Sequence, residues 1–237
     1  MTNNDVNWHQ VWEEKAAEEN PFATMGKRSY SFSDYYLYIQ DIVSSFSLIE
    51  KTDVLLDIGG GVGLVSLYFA PLVQQVYLCD YSQNMVDKAR ETTQNFQNIE
   101  VYQENMLDME NTKKKNSICS KVIVGSVLQY LKNYDEIRTA LTLLFNQTTD
   151  TAELVFTQNP DIELKESYIK SYEKLDWPAE KIEESLKIEE NRFWFDFNVI
   201  KQIAMDIGFN ACEKRSVNPV LFQATHMFDF VLRKGTQ

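Results

Sequence analysis

Histidine and cysteine are scarce in this chain, with two and three copies among 237 residues. No H-E-x-x-H or C-x-x-C spacing occurs, so no metal site is expected. Cys79, Cys119 and Cys212 are odd in number and far apart. That pattern excludes a disulfide framework and suits reduced core residues in a cytoplasmic protein. Basic residues are outnumbered, 23 Lys and Arg against 35 Asp and Glu, for a net charge of −12. Such a surface works against nucleic acid, whose phosphates need Lys and Arg. The only basic run, Lys113-Lys114-Lys115, sits in a polar segment and reads as a solvated loop. No stretch approaches the roughly 20 apolar residues of a membrane span, so no membrane partner is expected, and Met1 to Asp5 lacks the basic and apolar regions of a signal peptide. There is no repeat and no Pro/Gly linker, which points to one domain over residues 1–237.

Glycine is also sparse, eight in all, yet Gly59, Gly60, Gly61 and Gly63 fall within five positions. They follow Val54-Leu55-Leu56-Asp57-Ile58 and precede the amphipathic run Leu64-Val65-Ser66-Leu67-Tyr68-Phe69. This is a buried parallel strand, a tight turn and a helix N-terminus in that order. Glycine lets the backbone approach a ligand closely, and the helix start offers free N–H groups to an anionic ligand group. A nucleotide-like cofactor is expected here, at the carboxyl end of the first strand.

The spacing bears on which cofactor. A dinucleotide fingerprint has the form G-x-G-x-x-G, but six positions counted from Gly59 end on Leu64, and from Gly61 on Ser66. What fits is Asp57-x-Gly59-x-Gly61-x-Gly63. This resembles motif I of the class I S-adenosylmethionine-dependent methyltransferases. A carboxylate at the turn repels a pyrophosphate but suits a ligand carrying an ammonium and a sulfonium. The resemblance spans roughly Asp53 to Leu232. It implies an α/β fold: a Rossmann-like doubly wound sheet of seven strands, mostly parallel with an antiparallel last strand, and helices on both faces. It further implies S-adenosylmethionine as cofactor, S-adenosylhomocysteine as product, and a methyl acceptor as partner.

Further strands follow. Gln75 to Asp80 ends on an acid 23 positions after Asp57, close to the offset of about 20 at which an acid meets ribose hydroxyls. The segment Tyr81-Ser82-Gln83-Asn84-Met85 resembles the family's D-x-S-x-x-M continuation, with Ser82 as a helix cap and Tyr81 beside the adenine or ribose. After a third strand at Ile99–Tyr102, family members usually place a Gly-Asp pair; here Asn105 stands in, its amide oxygen accepting from the adenine amine, with Met106 against the ring. A fourth strand, Lys121 to Gly125, leads into Ser126, Gln129 and Tyr130, the family's segment beside the transferring methyl. A helix over Asp135–Phe145 and a strand over Glu153–Thr157 complete the β-α alternation.

The remainder is assigned around this core at residues 51–160. Residues 1–50 read as a helical lid: one helix from Asp5 to about Glu19 carrying Trp8 and Trp12 and stopped by Pro21, and another from Ser33 whose apolar face is Tyr35, Ile39, Ile42, Val43 and Phe46. The resemblance implies that the Gly26-Lys27-Arg28 turn between them brings Arg28 to the methionyl carboxylate. Residues 161–196 read as a helical cap with Tyr168, Tyr172 and Trp177, and residues 197–237 as a closing helix stopped by Gly208 and two strands. Catalytic candidates are His226 as a base and Tyr130 as an orienting group. The acidic surface, an aromatic content of 13% and seven methionines favour a small metabolite such as a sugar or amine intermediate, methylated on O or N. Rival readings are a catalytically silent cofactor-binding subunit and an NAD-dependent oxidoreductase. Both a monomer and a homodimer stay open.

Overall fold

The computed structural model describes residues 7–24, 27, 30–115 and 118–235. The chain opens with helices α1 (Trp8–Lys15), α2 (Pro21–Thr24) and α3 (Phe32–Ser45). The core alternates β1 (Val54–Ile58), α4 (Leu64–Phe69), β2 (Gln75–Asp80), α5 (Gln83–Thr93), β3 (Ile99–Gln103), α6 (Glu110–Lys114), β4 (Cys119–Gly125), α7 (Tyr134–Asn146) and β5 (Thr148–Pro160). Then come α8 (Lys165–Ser171), α9 (Ala179–Asn191), α10 (Phe197–Ile207), β6 (Ala211–Ser216) and β7 (Met227–Arg233). The seven strands form one sheet in the order β3-β2-β1-β4-β5-β7-β6. All pairs are parallel except those of β7, which runs antiparallel to β5 and β6.

Successive strand residues point to opposite faces, so the adjacent Leu55 and Leu56 enter two different cores. Leu55 packs with Ile39 and Ile42 of α3 and Phe69 of α4, whereas Leu56 packs with Ile137 and Leu141 of α7 and Ile200 of α10. Both leucines are fully buried. Near-continuous apolar strands are what a sheet covered on both faces requires. The crossovers leave β1 and β4 in opposite directions, which opens a crevice at the carboxyl ends of these two strands.

Several expectations shift. Asp5 lies outside the described residues, and Asn7 caps α1 by accepting from Gln10 N. Pro21 opens α2 instead of ending α1, in keeping with a residue that has no N–H to lose at a first helical position. The face of α3 centres on Tyr38, Ile39 and Ile42, with Tyr35 and Val43 at its margin. The polar stretch after β3 contains α6, because the buried Glu104 carboxylate accepts from Thr112 N at 2.6 Å and Thr112 Oγ1 at 2.8 Å. The cap is two helices, broken before Pro178. Among the described residues, no helix is long and apolar enough to cross a membrane.

Candidate active site

The glycine turn is held by backbone. The N–H groups of Gly59 and Gly60 both donate to Cys79 O, at 2.8 and 3.2 Å, which pins the turn to β2. Gly59 has a φ of +68°, and a Cβ there would stand 2.1 Å from Val127 Cγ2. Asp57 is buried beneath the turn and accepts from Ser66 Oγ at 2.7 Å. Asp80, half-buried at the end of β2, accepts from Gly61 N and Ser82 N, both at 3.0 Å. Burial pushes the Asp57 and Asp80 carboxyls up to about 6. Ser82 caps α5 by accepting from Met85 N, as expected.

Gly63 departs from its expected role. It lies off the cavity, and a Cβ there would stand 2.9 Å from Thr93 Cγ2, so it serves the packing of α4 against α5. Arg28 lies outside the described residues. The other predicted residues gather on one cavity of about 1050 Å³: Asp57, Gly59, Gly61, Asp80, Tyr81, Asn105, Met106, Ser126, Tyr130 and His226. Asn105 is less free than the sequence implies, because its Oδ1 accepts from Leu107 N at 3.0 Å. Tyr81 is about half exposed and meets the His9 ring edge-on.

Helix α1 lies across this cavity. Glu13 accepts from Gln83 N at 2.8 Å at the start of α5, and Trp8 and Trp12 pack on the Tyr130 ring at 4.8 and 5.6 Å. Burial pushes the Tyr130 phenol up to about 12. Beside it, Gln129 donates to Ser126 O at 2.9 Å, while its Oε1 is buried without a partner.

Two further residues complete this wall: Gln158, and Lys27, which the sequence marks only as a neighbour of Arg28 in its turn. Gln158 sits at φ +56°, where the β5–β7 register shifts. Its N–H donates to Asp229 Oδ1 at 2.6 Å, its Oε1 accepts from Ser126 Oγ at 2.9 Å and from Lys27 Nζ, and its Nε2 donates to Tyr30 OH at 2.7 Å. Lys27 is buried on the cavity wall, with Nζ 4.7 Å from the Tyr38 ring centroid. Burial lowers its pKa to about 8 against the pull of Asp229, whose own carboxyl burial pushes up to about 7. For Gln158 the only hint in the sequence is a polar Thr157-Gln158-Asn159 triplet closing an apolar strand.

The far end of the cavity is made of side chains. The His226 ring stacks on Tyr168 at 3.8 Å, and its Nδ1 lies 2.9 Å from Thr225 Oγ1. Burial, with Arg192 nearby, lowers the imidazole pKa to about 3. Tyr168 and Tyr172 share a hydroxyl contact of 3.1 Å, and Trp194 Nε1 donates to Glu189 O at 3.0 Å. Arg192 reaches the same cavity.

These features fit a nucleoside with a zwitterionic tail. Asp80 supplies an acceptor at a strand end, Gln129 Oε1 is an orphaned buried acceptor suited to an ammonium, and Lys27 offers a buried cation. A doubly wound sheet with its cavity at the switch point is the class of fold that binds nucleotide cofactors. Residues 55–146 match a family model described as a methyltransferase domain. Among solved structures, the N-methyltransferase NodS from Bradyrhizobium japonicum WM9, in complex with S-adenosyl-L-homocysteine, is 15% identical with a TM-score of 0.65, over 98% of this chain and 100% of that one. The magnesium protoporphyrin IX methyltransferase ChlM from Synechocystis PCC 6803, with bound S-adenosylhomocysteine, is 14% identical with a TM-score of 0.64, over 95% of this chain and 94% of that one. At such identities the likeness speaks for the fold. No curated protein matches the sequence. Residues 55–146 thus match a methyltransferase domain, and the whole chain has the fold of S-adenosylmethionine-dependent methyltransferases.

Proposed function

We propose that this chain transfers the methyl group of S-adenosylmethionine to an oxygen or nitrogen of a small molecule. The observation that carries the reading is a single cavity running from Asp80 at a strand end to Tyr168 and Arg192 beneath the cap, with room for two reactants. Asp80 accepts from the ribose hydroxyls while Gly61 and Ser82 keep its carboxylate in place. Met106 flanks the adenine, Asn105 and Tyr81 its edges, and Gln129 Oε1 with Asp57 faces the ammonium. The cationic role foreseen for Arg28 falls, among the described residues, to Lys27, which opposes the methionyl carboxylate. When bound, the cofactor supplies an electrophilic methyl for in-line displacement.

Alignment and exclusion of water are then the main work, a task that Trp8, Trp12 and the cap suit. Neither catalytic candidate is a strong base at neutral pH. His226 is neutral but weakly basic, with its pKa near 3, and Tyr130 stays protonated up to about 12. This favours an acceptor that arrives already nucleophilic, His226 and Tyr130 serving as walls.

The test uses S-adenosylmethionine with a labelled methyl, incubated with the protein and a cell extract separated into small-molecule, RNA and protein fractions. Label is expected in the small-molecule fraction. Label in RNA or protein sinks the small-molecule assignment. No label, with S-adenosylhomocysteine still binding, makes the chain a silent cofactor-binding subunit.

A further inference from the structure

The proposed function leaves the acceptor open, and the cap end of the cavity narrows it. Arg192 follows the last turn of α9, with its N–H donating to Ile188 O at 3.0 Å. Its neighbour Phe193 donates to Gln129 O at 3.3 Å, which ties this corner of the cap to the segment after β4. Arg192 lies on the cavity wall, close enough for its charge to act on both Tyr130 and His226. One of its nitrogens, Nη1, lies 3.2 Å from Glu189 Oε2. Its Nε is buried without a partner. A guanidinium is a planar fork of five donors, so the one carboxylate contact leaves its side edge to be satisfied.

The surroundings set the chemistry of what satisfies it. Although the chain carries a net charge of −12, the described cavity lining from the cap and from the stretch before β7 holds Lys181 and Arg192 and no carboxylate. The acids of the cavity lie elsewhere, Asp57, Asp80 and Glu104 on the strand ends and Glu136 on α7. Tyr168, Trp177 and Phe222 supply flat apolar walls on this side. Lys181 Nζ lies 3.9 Å from the Trp177 ring centroid at the rim, while Glu189 already balances part of the Arg192 charge. What remains unmatched is close to one positive charge with a two-pronged edge, next to aromatic surface.

We infer that the methyl acceptor is a planar or aromatic small molecule bearing a carboxylate, which Arg192 holds through its Nε edge while Tyr168 and Trp177 cover the ring. This rests on the methyltransferase reading and adds the acceptor class to it. A singly charged carboxylate matches the fork and the available charge, whereas a phosphate would bring a second charge with no further buried cation beside it among the described residues.

The test takes the full chain saturated with S-adenosylhomocysteine and titrates benzoate, phenyl phosphate, benzyl alcohol and benzylamine by calorimetry. Benzoate is expected to bind about tenfold or more tighter than benzyl alcohol, the effect of one charge-assisted bidentate contact. Arg192→Gln is expected to erase that preference and leave S-adenosylhomocysteine affinity intact. Glu189→Gln, which removes the competing carboxylate, is expected to raise benzoate affinity severalfold, a gain that a poorly folded variant does not give. Benzyl alcohol or benzylamine matching benzoate overturns the inference, as does a preference that survives Arg192→Gln, or no binding by any probe at millimolar concentration. Phenyl phosphate outranking benzoate overturns the choice of carboxylate. A chain that fails to bind S-adenosylhomocysteine overturns the methyltransferase reading itself; one that binds it but ignores charge on the probe overturns only the acceptor class.

Discussion

At one end of the cavity, Gly59, Gly60 and Gly61 are fastened by their own N–H groups to Cys79 O and Asp80. At the other end, Tyr168 stacks on His226, and Arg192 leans on Glu189. The first site is backbone and strand termini, fixed by the sheet that carries it. The second is side chains on short helices outside the sheet. Backbone geometry tolerates few substitutions but many side-chain environments, so it suits a fixed ligand. A side-chain wall is easily re-lined, so on the proposed function it is where acceptor choice would reside.

The contrast is tested most severely at Asp80. Asp80→Ala removes the proposed acceptor for two ribose hydroxyls and frees the Gly61 and Ser82 N–H groups it now holds. Affinity for S-adenosylhomocysteine is expected to fall by about 3 kcal/mol, roughly a hundredfold, by calorimetry. Asp80→Asn, keeping one acceptor oxygen, should lose about tenfold. Unchanged affinity in Asp80→Ala would take the cofactor away from this strand end.

Gly59 sharpens the comparison from the side of stability. With φ at +68° and the new Cβ 2.1 Å from Val127 Cγ2, Gly59→Ala must move either the turn or the Val127 side chain. We expect a loss of about 3 kcal/mol in denaturant unfolding, of which about 1 kcal/mol is the positive φ. Val127→Ala in the same chain should recover much of the clash and leave the backbone cost. If the two changes simply add, the turn is not braced by Val127.

These two residues mark what was legible from the sequence. A strand, a glycine turn and a second strand-end acid are written locally, in residues 54–80, and the sheet brings Asp57 and Asp80 together without help from distant segments. Lys27, Gln158 and Arg192 were not legible, because their place depends on contacts across long stretches of chain: Lys27 meets Gln158, and the turn after α9 meets Gln129. The motif spacing implies a ligand contact for Gly63, because spacing alone does not distinguish a cradle from a packing contact with Thr93. His226 drew attention as a scarce residue, yet scarcity carries no information about the Tyr168 ring that covers it.

A smaller effect separates the free protein from its complex. Burial raises the Asp57 carboxyl from 3.8 to about 6, so the folded chain binds this proton more tightly than the unfolded one. Its contribution is fully present below about pH 4 and is lost as pH rises through about 6. The ligand-free protein should therefore lose melting temperature across that window, and Asp57→Asn should flatten the loss. On the proposed function the complex should respond with the opposite sign, since the ionised forms of Asp57 and Asp80 would be the ones to hold an ammonium and ribose hydroxyls. Melting curves with and without S-adenosylhomocysteine, taken across the same window, should diverge as pH rises. Parallel curves would mean that neither carboxylate meets the ligand.

The smallest expected effect concerns His226, where the cap end is read as wall and not as chemistry. His226→Phe keeps a flat ring against Tyr168 and introduces no change in charge, because the imidazole, with its pKa near 3, is already neutral. The lost bond is to Thr225, whose exposed side chain can turn to water. Turnover with a substrate found by the labelling experiment should fall by no more than about threefold, whereas removal of a working general base costs about a hundredfold or more. A loss of the larger size, with acceptor KM unchanged, would make His226 the base and require the bound acceptor to restore its basicity. A small loss at every pH would leave Asp80 and the glycine turn to hold the cofactor, with the cap choosing what receives the methyl group.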